Sequence, residues 1–302
     1  MKILITDGIS DIGAKMLQDA GHEVVQQKLT PEELLQEIGA YDAILVRSAT
    51  KVRQDAIDAG KNLKVIGRGG VGLDNIDVAY AKEKGIAVVN TPGASSVSVA
   101  ELAVAHMFAV SRFLPASNVE MRKGEWPKKE FSKGIELTDK TLGLIGFGNI
   151  GRETAKRALG LGMSVIAHDP FVTETDMDVT LVGKEDVLAK ADYISLHIPF
   201  IKEQGPTITA AEFSKMKDGV VLINCARGGV VAEKDLLDAL NSGKVRAAGI
   251  DVYENEPVTE AQHALIQHPS VSVTPHIGAS TVEGQGRVGV EIAERVIDAL
   301  KS

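Results

Sequence analysis

Cysteine is nearly missing from this chain of 302 residues: Cys225 stands alone, so no intrachain disulfide can form. That fits a reducing compartment. Basic charge is also short. The formal net charge is −8, which argues against a polyanion-binding surface, because nucleic-acid binders carry a basic patch or stripe. The nearest approach to such a patch, Lys-Gly-Glu-Trp-Pro-Lys-Lys at 123–129, is interrupted by Glu125 and reads as a solvated loop. Long apolar runs are lacking as well, and none reaches the ~18 residues of a membrane span. The amino terminus, Met-Lys-Ile-Leu-Ile-Thr-Asp-Gly, loses its apolar character too early for a signal peptide. There is no low-complexity segment and no strong internal repeat. The expectation is a soluble cytoplasmic protein. What the chain does have is ordinary globular composition, 44% hydrophobic and 25% charged, enough to bury two cores.

Short apolar runs alternate with helical patterns from the start. Positions 2–6, 23–26, 43–47, 64–67 and 87–90 predict strands, with helices at 12–20, 31–38 and 54–59. The pattern breaks at Thr91-Pro92-Gly93. There Ser98-Val-Ala-Glu101 reads as a capping box opening a long helix. From Val99 to Val110 that helix is apolar on most sides, His106 excepted, and such a helix is expected to be buried, between domains or in a subunit interface. Alternation resumes with strands at 141–145, 164–167, 193–197, 220–224, 247–250 and 271–274 and helices at 150–159, 184–190, 210–216 and 234–241. A last helix, 282–300, is left over and is expected to cross back onto the first domain. The fold class is α/β, two Rossmann-like doubly wound parallel-sheet domains with a cleft between them. The expected division is 1–93 plus 282–302 for substrate and 94–281 for a dinucleotide.

The sharpest local signal is Gly146-Phe-Gly148-Asn-Ile-Gly151. Alone, G-x-G-x-x-G is weak. Here it follows the strand Thr-Leu-Gly-Leu-Ile and opens a helix, and Asp169 ends the next strand. The first glycine permits a tight turn, the second a close approach to pyrophosphate, the third close helix–strand packing. Asp169 would bond ribose hydroxyls and repel the extra phosphate of NADP, so NAD is the expected cofactor. Arg152 could contact pyrophosphate or simply sit on an exposed helix face.

Ligands of open α/β sheets bind outside the carboxyl ends of the strands. In the second half Arg227, Asp251 and His276 follow successive strands, and Glu256 lies in the loop after Asp251. Singly these are loop residues. Together they supply what hydride transfer on a 2-hydroxy acid needs: a histidine base, a carboxylate that orients it, and an arginine to grip the substrate carboxylate. His197 also ends a strand, but Pro199 follows closely, and it reads as cofactor-pocket wall. The remaining histidines, His106 among them, read as structural or surface.

These motifs, with Asn224-Cys-Ala-Arg-Gly-Gly229, Asp251-Val-Tyr-Glu-Asn-Glu-Pro257 and Pro275-His-Ile-Gly-Ala-Ser280, resemble the D-2-hydroxyacid dehydrogenase family along nearly the whole chain. The resemblance implies Arg227, Glu256 and His276 as the catalytic set: substrate anchor, partner and acid–base. It implies NAD contacts at Asn149, Ile150, Asp169, Ile198, Cys225, Ala226, Asp251, Gly278 and Ala279, and no metal. Within the family it is most similar to the phosphoglycerate dehydrogenase branch, through Val46-Arg47-Ser48-Ala49-Thr50 and Gly67-Arg68-Gly69-Gly70-Val71-Gly72-Leu73-Asp74-Asn75. That implies a substrate site with Arg47, Arg68, Gly70 and Val71, the arginines meeting a phosphate; pairing with Asp74 or Asp77 is the alternative. An unphosphorylated acid (glycerate, hydroxypyruvate, lactate) and an NADH-sensing corepressor-like role are the rival functions. A homodimer is expected. The chain stops at Ser302, so carboxy-terminal regulatory domains and serine feedback are not expected. That is one departure from the longer members of the family, and a second is local. The 199–206 loop, Pro-Phe-Ile-Lys-Glu-Gln-Gly-Pro, lacks the family's Pro-Leu-Thr run, and Pro275 argues against the formate dehydrogenase branch.

Overall fold

The computed structural model describes residues Met1–Lys301. It resolves into two compact units, Met1–Ser96 with the segment from Ala279 onward, and Val97–Gly278.

The first unit alternates strictly: β1 (Lys2–Ile5), α1 (Asp11–Asp19), β2 (Glu23–Gln26), α2 (Pro31–Glu37), β3 (Ala43–Val46), α3 (Gln54–Ala59), β4 (Val65–Arg68), α4 (Val78–Glu83) and β5 (Ala87–Asn90). The five strands form one parallel sheet in the order β2-β1-β3-β4-β5. Strand β3 is buried at every position, as expected where helices cover both faces of a parallel sheet. Helix α2 starts where the sequence says it should: Thr30 caps it, Glu33 closes a capping box, and Pro31 fills the first turn.

The second unit holds α5 (Ser96–Ser111), α6 (Leu114–Arg122), β6 (Thr141–Ile145), α7 (Asn149–Gly160), β7 (Ser164–His168), β8 (Thr180–Leu181), α8 (Lys184–Lys190), β9 (Tyr193–Leu196), α9 (Ala210–Lys215), β10 (Val220–Asn224), α10 (Glu233–Asn241), β11 (Val245–Ile250), α11 (His263–Ile266) and β12 (Val271–Val273). Its seven strands are parallel, in the order β12-β11-β10-β9-β6-β7-β8. Strand β6 therefore has β7 on one side and β9 on the other, and the winding reverses at the β6/β9 boundary. That is where an open sheet leaves a crevice for a ligand.

The last helix, α12 (Val282–Lys301), belongs to the first unit. Its Ile292, Ala293 and Val296 are fully buried against Ile3, Ile5, Leu45 and Val65. Gly13 and Gly67 admit it: a Cβ on Gly13 would strike the Gly289 carbonyl, and one on Gly67 would lie 2.8 Å from Val296.

One local expectation needs correction. Helix α5 begins at Ser96, whose N–H bonds the Gly93 carbonyl at 3.2 Å. Ser98 therefore lies within the first turn, not at the cap, because the chain reversal after Gly93 sets the boundary earlier. Within the single chain, Glu101, Ala105 and Phe108 of α5 are exposed. Helices α6 and α11 and the two-residue strand β8 carry too little periodicity to be legible beforehand. Among the described residues, no single helix is long and apolar enough to cross a membrane.

Candidate active site

The turn after β6 is shaped by its glycines in three different ways. Gly146 has φ +96°, a left-handed value that favours glycine, and a Cβ there would strike the His197 carbonyl. A Cβ on Gly151 would strike the Gly146 carbonyl. Gly148 has an ordinary φ of −77° and no atom within 4 Å of where its Cβ would be. The outer glycines answer to internal packing, while the middle one leaves open surface over the amino end of a 12-residue helix. That is the shape and polarity a pyrophosphate needs. Asn149 and Ile150 open α7.

Asp169 directly follows β7, one residue beyond the strand end, and accepts the Phe147 N–H at 2.8 Å and the Phe171 N–H at 2.9 Å. Each carboxylate oxygen keeps a lone pair for a ribose hydroxyl. A dinucleotide thus fits this turn. Arg152 stacks on the Phe147 ring at 4.7 Å and reaches the Thr175 hydroxyl at 3.4 Å.

Across the winding reversal, His197 and Ile198 follow β9. Nε2 of His197 lies 3.0 Å from the Ser195 hydroxyl, and Nδ1 is buried with no partner among the described residues. Burial holds the imidazole down to about 4, so it is neutral near pH 7. It borders the glycine turn, as its carbonyl contact with Gly146 shows.

Beyond β9 the structure brings the strand-end residues β10, β11 and β12 onto one edge of the second unit. After β10, the Asn224 side chain closes the turn, accepting the Ala226 N–H at 3.1 Å and donating to the Arg227 carbonyl at 3.1 Å. Arg227 donates to the Ala226 carbonyl at 2.7 Å. Burial, with the nearby Asp251 charge, pushes the Cys225 thiol up, so this cysteine is a packing group and not a nucleophile.

After β11, Asp251 is 1% exposed. Its carboxylate accepts the Thr274 hydroxyl at 2.6 Å, the Ile277 N–H at 2.8 Å and the Gly278 N–H at 2.8 Å. Its carbonyl accepts the His276 N–H at 2.8 Å. His276 is held at φ +54°, an uncommon value for a residue with a Cβ. Its Nδ1 lies 2.6 Å from Glu256 Oε2, and the other Glu256 oxygen accepts the Tyr253 N–H at 3.0 Å. Burial raises the Glu256 carboxyl. The bonds from His276 and Tyr253, with the Arg227 charge nearby, outweigh burial and leave it below the ordinary value. An ionised Glu256 fixes Nδ1 as the donor, which leaves Nε2 to give or take a proton. Tyr253 in turn donates to the Thr274 carbonyl at 3.0 Å, and burial first, then surrounding acids, push its hydroxyl to about 12.

The remaining site candidates lie in the first unit. Arg47 follows β3 and Arg68 ends β4, where Val46 is paired with Arg68. The Arg47 N–H and the Thr50 N–H and hydroxyl all bond Asp7, at 2.7, 3.0 and 2.6 Å. Burial lowers the proton affinity of Arg47 and the Asp7 charge opposes it; a guanidinium stays charged regardless. Gly70, at φ +145°, leaves room for the Arg68 guanidinium, and Val71 accepts from Asn90 at 2.6 Å. Of the acids weighed as local partners, Asp77 is taken by Arg53 at 2.9 Å. Ala279 begins the returning segment of this unit.

Sequence reasoning missed Tyr253, which bonds Glu256 and the Thr274 carbonyl, Thr274, which bonds Asp251, and His106, which meets the hydroxyls of Ser272 and Thr274. The one available signal was a histidine in an apolar helix. Among the described residues no group of His, Cys, Asp and Glu is placed to hold a metal ion.

Comparison with known proteins bears on the family. Residues 104–278 match the family model described as D-isomer specific 2-hydroxyacid dehydrogenase, NAD binding domain. A hydroxypyruvate reductase of Thermotoga maritima is 52% identical, covering 92% of this chain and 91% of that one. A D-3-phosphoglycerate dehydrogenase of Archaeoglobus fulgidus is 45% identical over the whole chain, which spans 58% of that protein's length. The crystal structure of a glyoxylate reductase from Paecilomyes thermophila superposes with a TM-score of 0.91 at 33% identity, covering 100% of this chain and 96% of that one.

Proposed function

The chain belongs to the D-isomer specific 2-hydroxyacid dehydrogenase family and carries its NAD-binding domain, and on that premise we propose that it oxidises 3-phosphoglycerate to 3-phosphohydroxypyruvate, the first step toward serine. The observation that carries the substrate assignment is the pair of arginines at adjoining strand ends of the first unit, Arg47 beside Val46 and Arg68 paired with Val46. Two fixed cations suit a phosphoryl dianion better than a neutral hydroxymethyl group. In this reading residues 1–93 with 282–302 bind the substrate, through Arg47, Arg68, Gly70 and Val71, and residues 94–281 hold the dinucleotide.

When bound, NAD supplies the redox chemistry by taking a hydride from the carbon that bears the hydroxyl. His276 Nε2 takes the hydroxyl proton. Glu256, hydrogen-bonded at 2.6 Å, keeps the imidazole in the tautomer that can do so and stabilises it once charged. Arg227 grips the substrate carboxylate. Asp169 selects NAD over NADP by charge.

A second reading, reduction of hydroxypyruvate, is favoured by the 52% identical reductase of nearly equal length. The test follows NADH absorbance with 3-phosphohydroxypyruvate, hydroxypyruvate and pyruvate side by side. A clear preference in kcat/KM for the phosphorylated acid, abolished by Arg47→Ala or Arg68→Ala, supports the first reading. Preference for hydroxypyruvate, unmoved by those substitutions, overturns it in favour of the second.

The same proposal includes a cytoplasmic homodimer. It draws support from apolar exposure on α5 and α6, at Phe108, Leu114, Val119 and Met121; sedimentation as a monomer would refute it.

A further inference from the structure

Helix α5 buries an imidazole far from any strand end in sequence. His106 is 2% exposed, and it sits where β11 has a glycine: a Cβ on Gly249 would strike the Cβ of His106. Room has therefore been made for this side chain over β11, beside the edge strand β12. Its Nδ1 lies 2.9 Å from the Ser272 hydroxyl and its Nε2 lies 3.1 Å from the Thr274 hydroxyl, 166 and 168 residues away in the chain.

The protons in this chain of contacts can be assigned one by one. Asp251 can only accept, and it faces the Thr274 hydroxyl at 2.6 Å. Thr274 has a single hydrogen and spends it there, so toward His106 it must accept. Nε2 of His106 therefore carries a hydrogen. Burial lowers the proton affinity of the imidazole, with the Asp251 charge partly opposing. A neutral ring with hydrogen on Nε2 has an acceptor at Nδ1, which matches the Ser272 hydroxyl as donor. Every member is satisfied in one direction only: Ser272 to His106, His106 to Thr274, Thr274 to Asp251.

The far end of that chain is the backbone of the His276 loop. Asp251 holds the N–H groups of Ile277 and Gly278 with its carboxylate and that of His276 with its carbonyl. The Thr274 hydroxyl fixes the rotamer of the Asp251 carboxylate, and rotation of that carboxylate would break its bonds to the Ile277 and Gly278 N–H groups, directly after the left-handed residue His276. We infer that His106 is a positioning residue for His276, acting as the Nε2–H tautomer through the Thr274 hydroxyl and the Asp251 carboxylate. This rests on the acid–base role proposed for His276.

Three variants, His106→Leu, His106→Gln and Thr274→Val, are compared with His276→Ala in the full-length protein, using NADH with hydroxypyruvate and with 3-phosphohydroxypyruvate. Glutamine places an amide N–H near where Nε2 stood, whereas leucine fills volume without a donor. Misplacement of a catalytic group by about 1 Å costs on the order of a hundredfold, so H106L should lose roughly tenfold to a hundredfold in kcat while NADH affinity and KM stay within about threefold, and H106Q should recover most of the loss. Imidazole nitrogen NMR should show hydrogen on Nε2 of His106.

Wild-type kcat in H106L, with H276A inactive, overturns the inference and leaves the catalytic reading intact. Activity in H276A overturns the reading on which it rests. H106Q as poor as H106L reduces His106 to a packing role and also overturns it. Should H106L fail to fold, T274V keeps the imidazole and is held to the same expectation for kcat.

Discussion

At the scale of single residues, the buried His106 and the half-buried His197 are put to different uses by their neighbours. His106 has a partner on each nitrogen, whereas His197 has one on Nε2 and, among the described residues, none on Nδ1. His197 therefore titrates in a way that bears on stability. Its folded value of about 4 lies below the ordinary 6.5, so between these the unfolded chain binds the extra proton. Its contribution is complete above about pH 6.5 and is lost as pH falls toward 4, to the extent of about 3 kcal/mol. Urea midpoints measured from neutral pH down to about pH 4.5 should fall more steeply for the wild type than for His197→Gln. Parallel slopes would show that the proton never enters this site as argued.

At the scale of elements, the turn between β6 and α7 separates two effects that one motif hides. Gly146→Ala forces a Cβ into the His197 carbonyl at a left-handed φ, and should cost about 2 kcal/mol or more. Gly148→Ala meets open space at an ordinary φ and should cost less than about 1 kcal/mol as a helix-cap change. Both should weaken NADH binding, the first through a distorted turn and the second by obstructing pyrophosphate. Thermal unfolding paired with NADH fluorescence titration checks this. Equal stability loss in the two variants would mean that the glycines do not divide their roles. Helix α5 shows the opposite limit of local reading. Its Ser-x-x-Glu motif has the form of a cap, yet tertiary placement of the preceding turn starts the helix at Ser96.

At the scale of the whole molecule, the first unit is completed by the last helix. Ile292 is fully buried among residues from the opening strands, and Gly67 gives it and Val296 room. Ile292→Ala should cost about 2–5 kcal/mol, read as a lower unfolding temperature together with faster amide exchange in β1, β3 and β4. Unchanged protection in those strands would remove α12 from the core described here.

The alternating elements, the dinucleotide turn with Asp169, and the placement of Arg227 and His276 after strands, with Glu256 in the loop beyond Asp251, were all legible in the chain. Each is encoded by neighbours: apolar runs of strand length, glycines at fixed spacing, polar residues directly after strands. Only the tertiary structure decided what holds those residues still. The Asp251 contacts reach Thr274, Ile277 and Gly278 across 23 to 27 positions, and those of His106 reach across 166 and 168. A hydrogen bond depends on distance and direction in space, and sequence periodicity carries neither between elements that meet only when the sheet has formed. For that reason His276 stands out in the chain by its place after a strand, while His106, which meets Ser272 and Thr274 only in the folded sheet, passed for an ordinary buried residue.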